Sequence, residues 1–186
     1  MGLPCYLFQK LCDLAHAPSI RKLEVSFGYG ASFDDVRATY KFIVSLGPSL
    51  EVLLFIDNKE LTNTLGDETD LSQHSSLRSI SFELPWYDGF PEQQGTNHIC
   101  KILSQISSPL RMVKLIIYPG SPNSSDELNI LNLPAIGTPF FDKQHYLCRD
   151  SVNLTLDFGS KVDRTIVTAV KDILRTPDAE GRLFIK

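Results

Sequence analysis

The stretch SLEVLLFIDN, Ser49 to Asn58, decides how the chain reads. Leu53 and Phe55 stand two apart, so on an extended run both side chains fall on one face. Three other segments align with it without gaps: SIRKLEVSF from Ser19, SLRSISFEL from Ser76 and PLRMVKLII from Pro109. Their second position is Ile20, Leu50, Leu77 or Leu110, and their fifth is Leu23, Leu53, Ile80 or Val113. Their seventh is Val25, Phe55, Phe82 or Leu115. The third position is always charged (Arg21, Glu51, Arg78, Arg111), as suits the solvent edge where a strand begins.

Two weaker copies follow, SVNLTLDF with Leu154 and Leu156, and GRLFIK with Leu183 and Ile185. The fifth positions fall at 23, 53, 80, 113, 154 and 183, at intervals of 30, 27, 33, 41 and 29 residues. Such intervals are too long for hairpins and suit a strand, a helix and two connections.

Helical patterns occupy the intervals. Ser32 can cap a helix whose first turn holds Asp34 and Asp35, with Val36, Tyr40, Ile43 and Val44 on one face and Gly47-Pro48 as its stop. Thr96 can cap a second carrying Ile99, Ile102, Leu103 and Ile106 and ending at Pro109. Asp163 can cap a third carrying Ile166, Val167, Val170, Ile173 and Leu174, stopped by Pro177. Phe8, Leu11, Cys12 and Ala15 suggest a helix over residues 1–18 that caps the array. The polar Asn58–Ser75 interval reads as a short helix and loop. The 41-residue interval holds at most short helical turns, at Ser125–Leu131 and Pro139–Cys148, divided at Pro134–Thr138.

Parallel strands joined by right-handed crossovers form either a one-sided solenoid or a doubly wound sheet. Strands buried on both faces read as unbroken apolar runs. Val52–Ile56 and Met112–Ile117 do so, but the first, third and fifth copies alternate, for example Ile80-Ser81-Phe82-Glu83-Leu84. Alternation implies one wet face. The expected fold is therefore α/β: an irregular leucine-rich-repeat-like solenoid with parallel strands on one face and helices on the other. Residues 1–186 form a single domain, with about six strand-containing repeats over 19–186.

Leu50-x-x-Leu53-x-Phe55-x-x-Asn58 matches the leucine-rich-repeat signature L-x-x-L-x-L-x-x-N at every fixed position. The other copies keep its apolar positions but carry Gly28, Pro85 and Tyr118 in place of the asparagine. From Ser19 onward the phrasing resembles the repeat region of fungal F-box proteins. The resemblance implies a protein-interaction module, with substrate recognition in an F-box ubiquitin ligase as its role. Leu3-Pro4, Leu7, Leu11 and Leu14 echo the opening of an F-box, but the rest of that motif is not evident. The missing asparagines imply uneven curvature. A longer parent protein, of which this chain is a fragment, fits the same pattern.

Composition narrows the alternatives. At 42% hydrophobic and 22% charged residues the 186-residue chain is an ordinary globular sequence. A net charge of -4 with no basic block speaks against a nucleic-acid binder. No apolar run approaches a membrane span, and the N-terminus lacks the cationic start of a signal peptide. Asn123-Ser124-Ser125 and Asn153-Leu154-Thr155 are chance-level glycosylation sequons, so a cytoplasmic or nuclear location is expected. Cys5, Cys12, Cys100 and Cys148 show no metal spacing and read as free thiols in a reducing compartment.

Candidates for catalysis are poor. Gly28-Tyr29-Gly30 lacks the third glycine of a dinucleotide-binding turn, since Phe33 holds its place. His16, His74, His98 and His145 pair with no nucleophile by motif and are expected on the solvated surface. No catalytic residue, cofactor or metal site is assigned, and a small doubly wound enzyme is the alternative. The remaining candidate is a binding face for an unidentified protein partner. It comprises the strand side chains that point away from the buried pairs, among them Leu54, Ile56, Glu83, Lys114 and Ile116, with Trp86 and Tyr87 in the adjoining loop. Leu54, Ile56 and Ile116 are apolar where water is expected, so they form a docking patch or lie under a loop or a neighbouring chain.

Overall fold

A computed structural model of the chain describes residues 19–26, 32–56, 70–85, 94–106, 108, 110–118, 133–134, 152–159 and 162–186. The expectations for the 1–18 helix, Asn58, Gly28–Gly30, Pro109, Trp86, Tyr87 and both short turns of the 41-residue interval fall outside these residues. The strands are β1 (Lys22–Ser26), β2 (Val52–Ile56), β3 (Ser79–Pro85), β4 (Met112–Tyr118), β5 (Asn153–Asp157) and β6 (Leu183–Ile185). Among the described residues the helices are α1 (Phe33–Leu46), α2 (Gln94–Gln105), α3 (Arg164–Ile173) and the short α4 (Arg175–Ala179). The chain is thus mixed α/β with one six-stranded sheet, every adjacent pair parallel, in the order β1 to β6.

The register reproduces the repeat alignment. Leu23, Leu53, Ile80, Val113, Leu154 and Leu183 lie side by side across the sheet, and so do Val25, Phe55, Phe82, Leu115, Leu156 and Ile185. Leu53, Ile80, Phe82, Val113, Leu115, Leu154 and Leu156 are buried and form one cluster with Val36, Tyr40 and Ile43 of α1, Ile99, Ile102 and Leu103 of α2, and Ile166 and Val170 of α3. The second-position residues Leu50, Leu77 and Leu110 complete this core from the lead-in to each strand. Burying one such aliphatic side chain contributes about 1.5–3 kcal/mol, so these rows dominate the stability.

The charged third positions serve the backbone as well as the surface. The carbonyl of Arg21 accepts from the amides of both Glu51 and Val52 (2.8 and 2.9 Å). Glu51 does the same for Arg78 and Ser79, and Arg78 for Arg111 and Met112. Each repeat is thus locked to the next before its strand begins. Arg21 and Glu51 also meet at the wet edge as an ion pair at 2.7 Å, whereas the guanidinium of Arg78 is partly buried.

Helix α1 starts and stops where its sequence indicates. The Asp35 amide donates to the Ser32 hydroxyl (3.2 Å), and the Ser32 amide donates to the Asp35 carboxylate (2.9 Å), a reciprocal capping box. Gly47 ends the helix at a φ of 48°, in the half of conformational space that favours glycine, and its amide donates to Val44. Val44 itself is half-buried rather than in the core. Asp163 caps α3 as expected, its carboxylate accepting from the Thr165 amide at 2.7 Å.

Other boundaries differ from the sequence reading. Helix α2 begins at Gln94, so Thr96 lies inside its first turn instead of capping it. Pro177 does not stop α3, which ends at Ile173; it sits within α4, where a proline near a helix start loses no hydrogen bond. Between β2 and β3, residues 70–78 form tight turns, with Ser72 donating to Asp70 (2.9 Å) and Leu77 to His74 (3.0 Å).

His74 overturns the expectation of a solvated surface histidine. Its side chain is fully buried, Nε2 lying 2.8 Å from the Ile43 carbonyl and Nδ1 3.3 Å from that of Leu71. Cys100 is a half-buried free thiol whose pKa is raised by burial. His16 and His145 lie outside the described residues, as does the side chain of His98. No described helix is long and apolar enough to cross a membrane.

Candidate functional site

Strand side chains alternate, so the residues between the core rows form a second set of rows on the opposite face. One row reads Glu24, Leu54, Ser81, Lys114, Thr155 and Phe184; a second reads Ser26, Ile56, Glu83, Ile116 and Asp157; a third reads Lys22, Val52, Ser79, Met112 and Asn153. The register therefore brings five of the seven candidate residues together across β2, β3 and β4: Leu54, Ile56, Glu83, Lys114 and Ile116. Leu54, Glu83, Lys114 and Ile116 are half-buried; the side chain of Ile56 is not among those described, and neither are Trp86 and Tyr87.

Polarity across the face is uneven. Val52, Leu54, Met112 and Ile116 form a half-exposed apolar centre on β2 and β4. Between them β3 presents Ser79, Ser81 and Glu83, so a shallow, polar-floored strip separates two aliphatic ridges. Ser81 is nearly covered by its taller neighbours. On β1, Lys22 and Glu24 are exposed and mark the charged margin.

Lys114 reaches diagonally to Asp157, placing Nζ 2.7 Å from the carboxylate. The hydrogen bond from Lys114 is the main reason the Asp157 carboxyl is held below its ordinary 3.8; burial opposes this and the Gly159 amide assists it. Both side chains are about a quarter exposed, so the pair is worth no more than a surface ion pair, roughly 0.2–1 kcal/mol. Its effect is to fix Lys114 against the sheet and remove a mobile cation from the centre of the face.

Sequence reasoning placed Lys114 on this face but did not pair it with Asp157, because a diagonal contact depends on register. It did not single out Phe184, which is 45% exposed on the same face. The signal was available in Leu183-Phe184-Ile185, where the outer two residues hold the core positions and the middle one must point outward.

Among the described residues, no group of three or more histidine, cysteine or acidic side chains is placed to hold a metal ion. The described titratable groups on the face are Lys22, Glu24, Glu83 and the Lys114–Asp157 pair. No family model matches the chain, and neither the curated proteins nor the solved structures compared with it give a match.

Proposed function

We propose that the chain is a one-sided, leucine-rich-repeat-like solenoid that acts as a protein-interaction module through the outward face of its sheet. The observation that carries this reading is the unbroken β1-to-β6 strand order. Right-handed crossovers that always advance in one direction place their helices on one side, leaving the other face of the sheet uncovered by them. A doubly wound enzyme reverses direction within its sheet and binds its ligand at the crevice this creates, and the sequential order lacks such a reversal. Half-exposed Val52, Leu54, Met112 and Ile116 on the uncovered side support a contact surface. By resemblance, substrate recognition in an F-box ubiquitin ligase is the role such a surface would serve.

The test is a comparison of co-purified proteins from the cells that make this chain. The wild type should retain specific partners that a Leu54→Glu/Ile116→Glu variant loses, while both unfold at closely similar denaturant concentrations. No stable partner, or the same partners with both forms, would contradict the proposal.

A further inference from the structure

The strand entries carry a ladder of charge across the sheet. Arg21, Glu51, Arg78 and Arg111 hold equivalent positions, and each is tied through its backbone to the next. The Arg21 carbonyl accepts from the Glu51 amide, that of Glu51 from Arg78, and that of Arg78 from Arg111, all at 2.8 Å. Neighbouring rungs therefore lie one strand spacing apart, about 4.7–4.9 Å. The first pair is of opposite sign and closes on itself, with Arg21 Nε and Nη2 both reaching Glu51 Oε1 (2.8 and 2.7 Å). The second pair, Arg78 and Arg111, is of like sign. The rung after it is the neutral Asn153, whose amide donates to the Arg111 carbonyl (3.0 Å). Two cations on adjacent strands repel, and the one carboxylate on this ladder is already engaged by Arg21.

Buried polar atoms single out the same junction. Three described side-chain atoms are buried without a hydrogen-bond partner: Arg78 Nη1, Gln105 Oε1 and Ser108 Oγ. Gln105 ends α2, and Ser108 lies in the link from α2 to β4, three residues ahead of Arg111. Arg78 is bonded through its carbonyl to the amides of Arg111 and Met112, at the end of that link. Ser108 is only 3% exposed, so its hydroxyl is shut off from bulk water. Orphaned groups of this kind are costly unless an ion or an ordered water completes them. A water would satisfy Nη1 and Oγ but would leave both guanidinium charges uncompensated.

We propose that the entry edge between β3 and β4 is a binding site for a phosphate monoester, held by the guanidiniums of Arg78 and Arg111 with the Ser108 hydroxyl as a further donor. Two adjacent positive charges match a group that carries about -1.5 to -2 at pH 7. Its three terminal oxygens can accept the forked N–H groups of two guanidiniums together with one O–H. The singly charged form keeps a P–OH, which Gln105 Oε1 can accept. A carboxylate offers one charge and two oxygens, and so answers only half of the site. Arg111 is exposed, which gives a ligand its approach, while half-buried Arg78 supplies the less hydrated contact.

The site lies at the strand entries rather than on the outward face, so it stands or falls independently of the proposed partner surface. Its test is NMR on the whole chain, titrated with sodium phosphate and, separately, with sodium chloride at matched ionic strength. Saturable shifts of the Arg111 and Met112 amides and of the arginine Nε signals are expected with phosphate alone, at a dissociation constant in the millimolar range. Arg111→Gln, at an exposed position, should keep the fold and weaken phosphate binding roughly tenfold or more, and Arg78→Met should do the same. A parallel titration with a phosphoserine peptide of otherwise alanine and glycine residues distinguishes the sources. Tighter binding than inorganic phosphate assigns the site to a phosphorylated chain, and equal binding assigns it to a small phosphate ester. No saturable response to phosphate, a response matched by chloride, or an affinity unchanged in Arg111→Gln would each overturn the proposal.

Discussion

Replacing His74 with alanine removes a hydrogen-bond partner of the Ile43 carbonyl. That carbonyl belongs to the last turn of α1, and the Gly47 amide that would ordinarily satisfy it donates to Val44 instead. His74 Nε2, 2.8 Å away, supplies the missing hydrogen bond across 31 residues of sequence and ties the turn before β3 to the end of α1. The contact from Nδ1 to the Leu71 carbonyl is longer, at 3.3 Å. Leaving a buried carbonyl without a donor costs about 1–3 kcal/mol. The space left by a fully buried ring adds roughly 1–2 kcal/mol. His74→Ala should therefore lose about 2–5 kcal/mol, measured as a shift of the urea unfolding midpoint at constant slope. For a chain of this length the melting temperature should fall by roughly 4–20 °C. His74→Gln, which keeps an N–H donor, should recover part of the loss, whereas His74→Phe fills the space but offers no donor. A loss under about 0.5 kcal/mol in His74→Ala, or a His74→Phe variant as stable as the wild type, would refute the hydrogen-bonding role.

Three further outcomes follow from individual contacts. Ser32→Ala breaks the capping box of α1 and should cost about 0.5–2 kcal/mol in chemical denaturation; an unchanged midpoint would mean the cap is not formed in solution. Phe82→Ala opens the centre of the inward face, where the ring is buried against its neighbours, and should cost roughly 3–5 kcal/mol by the same assay. Lys114→Met tests the outward ion pair through pH. A carboxylate whose folded-state pKa is depressed contributes stability that is complete above its unfolded value and is lost as pH falls through the folded value. Wild-type stability should accordingly drop as pH falls from about 5 through 3.8 and below, and in the variant part of that drop, about 0.2–1 kcal/mol, should vanish as the Asp157 carboxyl titrates closer to 3.8 by NMR. An unchanged Asp157 titration in Lys114→Met would exclude the pair.

Much of the fold was legible because the chain repeats one local rule. Leu23, Leu53, Ile80, Val113 and Leu154 align in sequence and lie in register in the sheet, since parallel strands one crossover apart must bury equivalent positions. The start of α1 was legible for the same kind of reason: Ser32 and Asp35 are three apart, and both halves of the cap are local. The start of α2 was not, because Gly95-Thr96 resembles a cap while the helix extends back to Gln94. His74 was misread because a histidine in a polar stretch carries no sign of a carbonyl 31 positions earlier. Arg182 is a similar case: it is almost fully buried beside Glu180, with Nη1 3.4 Å from the Val152 carbonyl. On the candidate face, period-two alternation placed Leu54, Glu83, Lys114 and Ile116 together. The diagonal from Lys114 to Asp157 needed the register of β4 against β5.

The central claim is that one face of the sheet is packed against helices and the other is open to contact. Hydroxyl-radical footprinting of the unmodified chain reads this directly, residue by residue. Rapid oxidation of Met112, Leu54 and Phe184 is expected, with strong protection of Val113, Leu53 and Leu156 on the core face. Equal protection of both sets, as in a sheet covered on both sides, would contradict it.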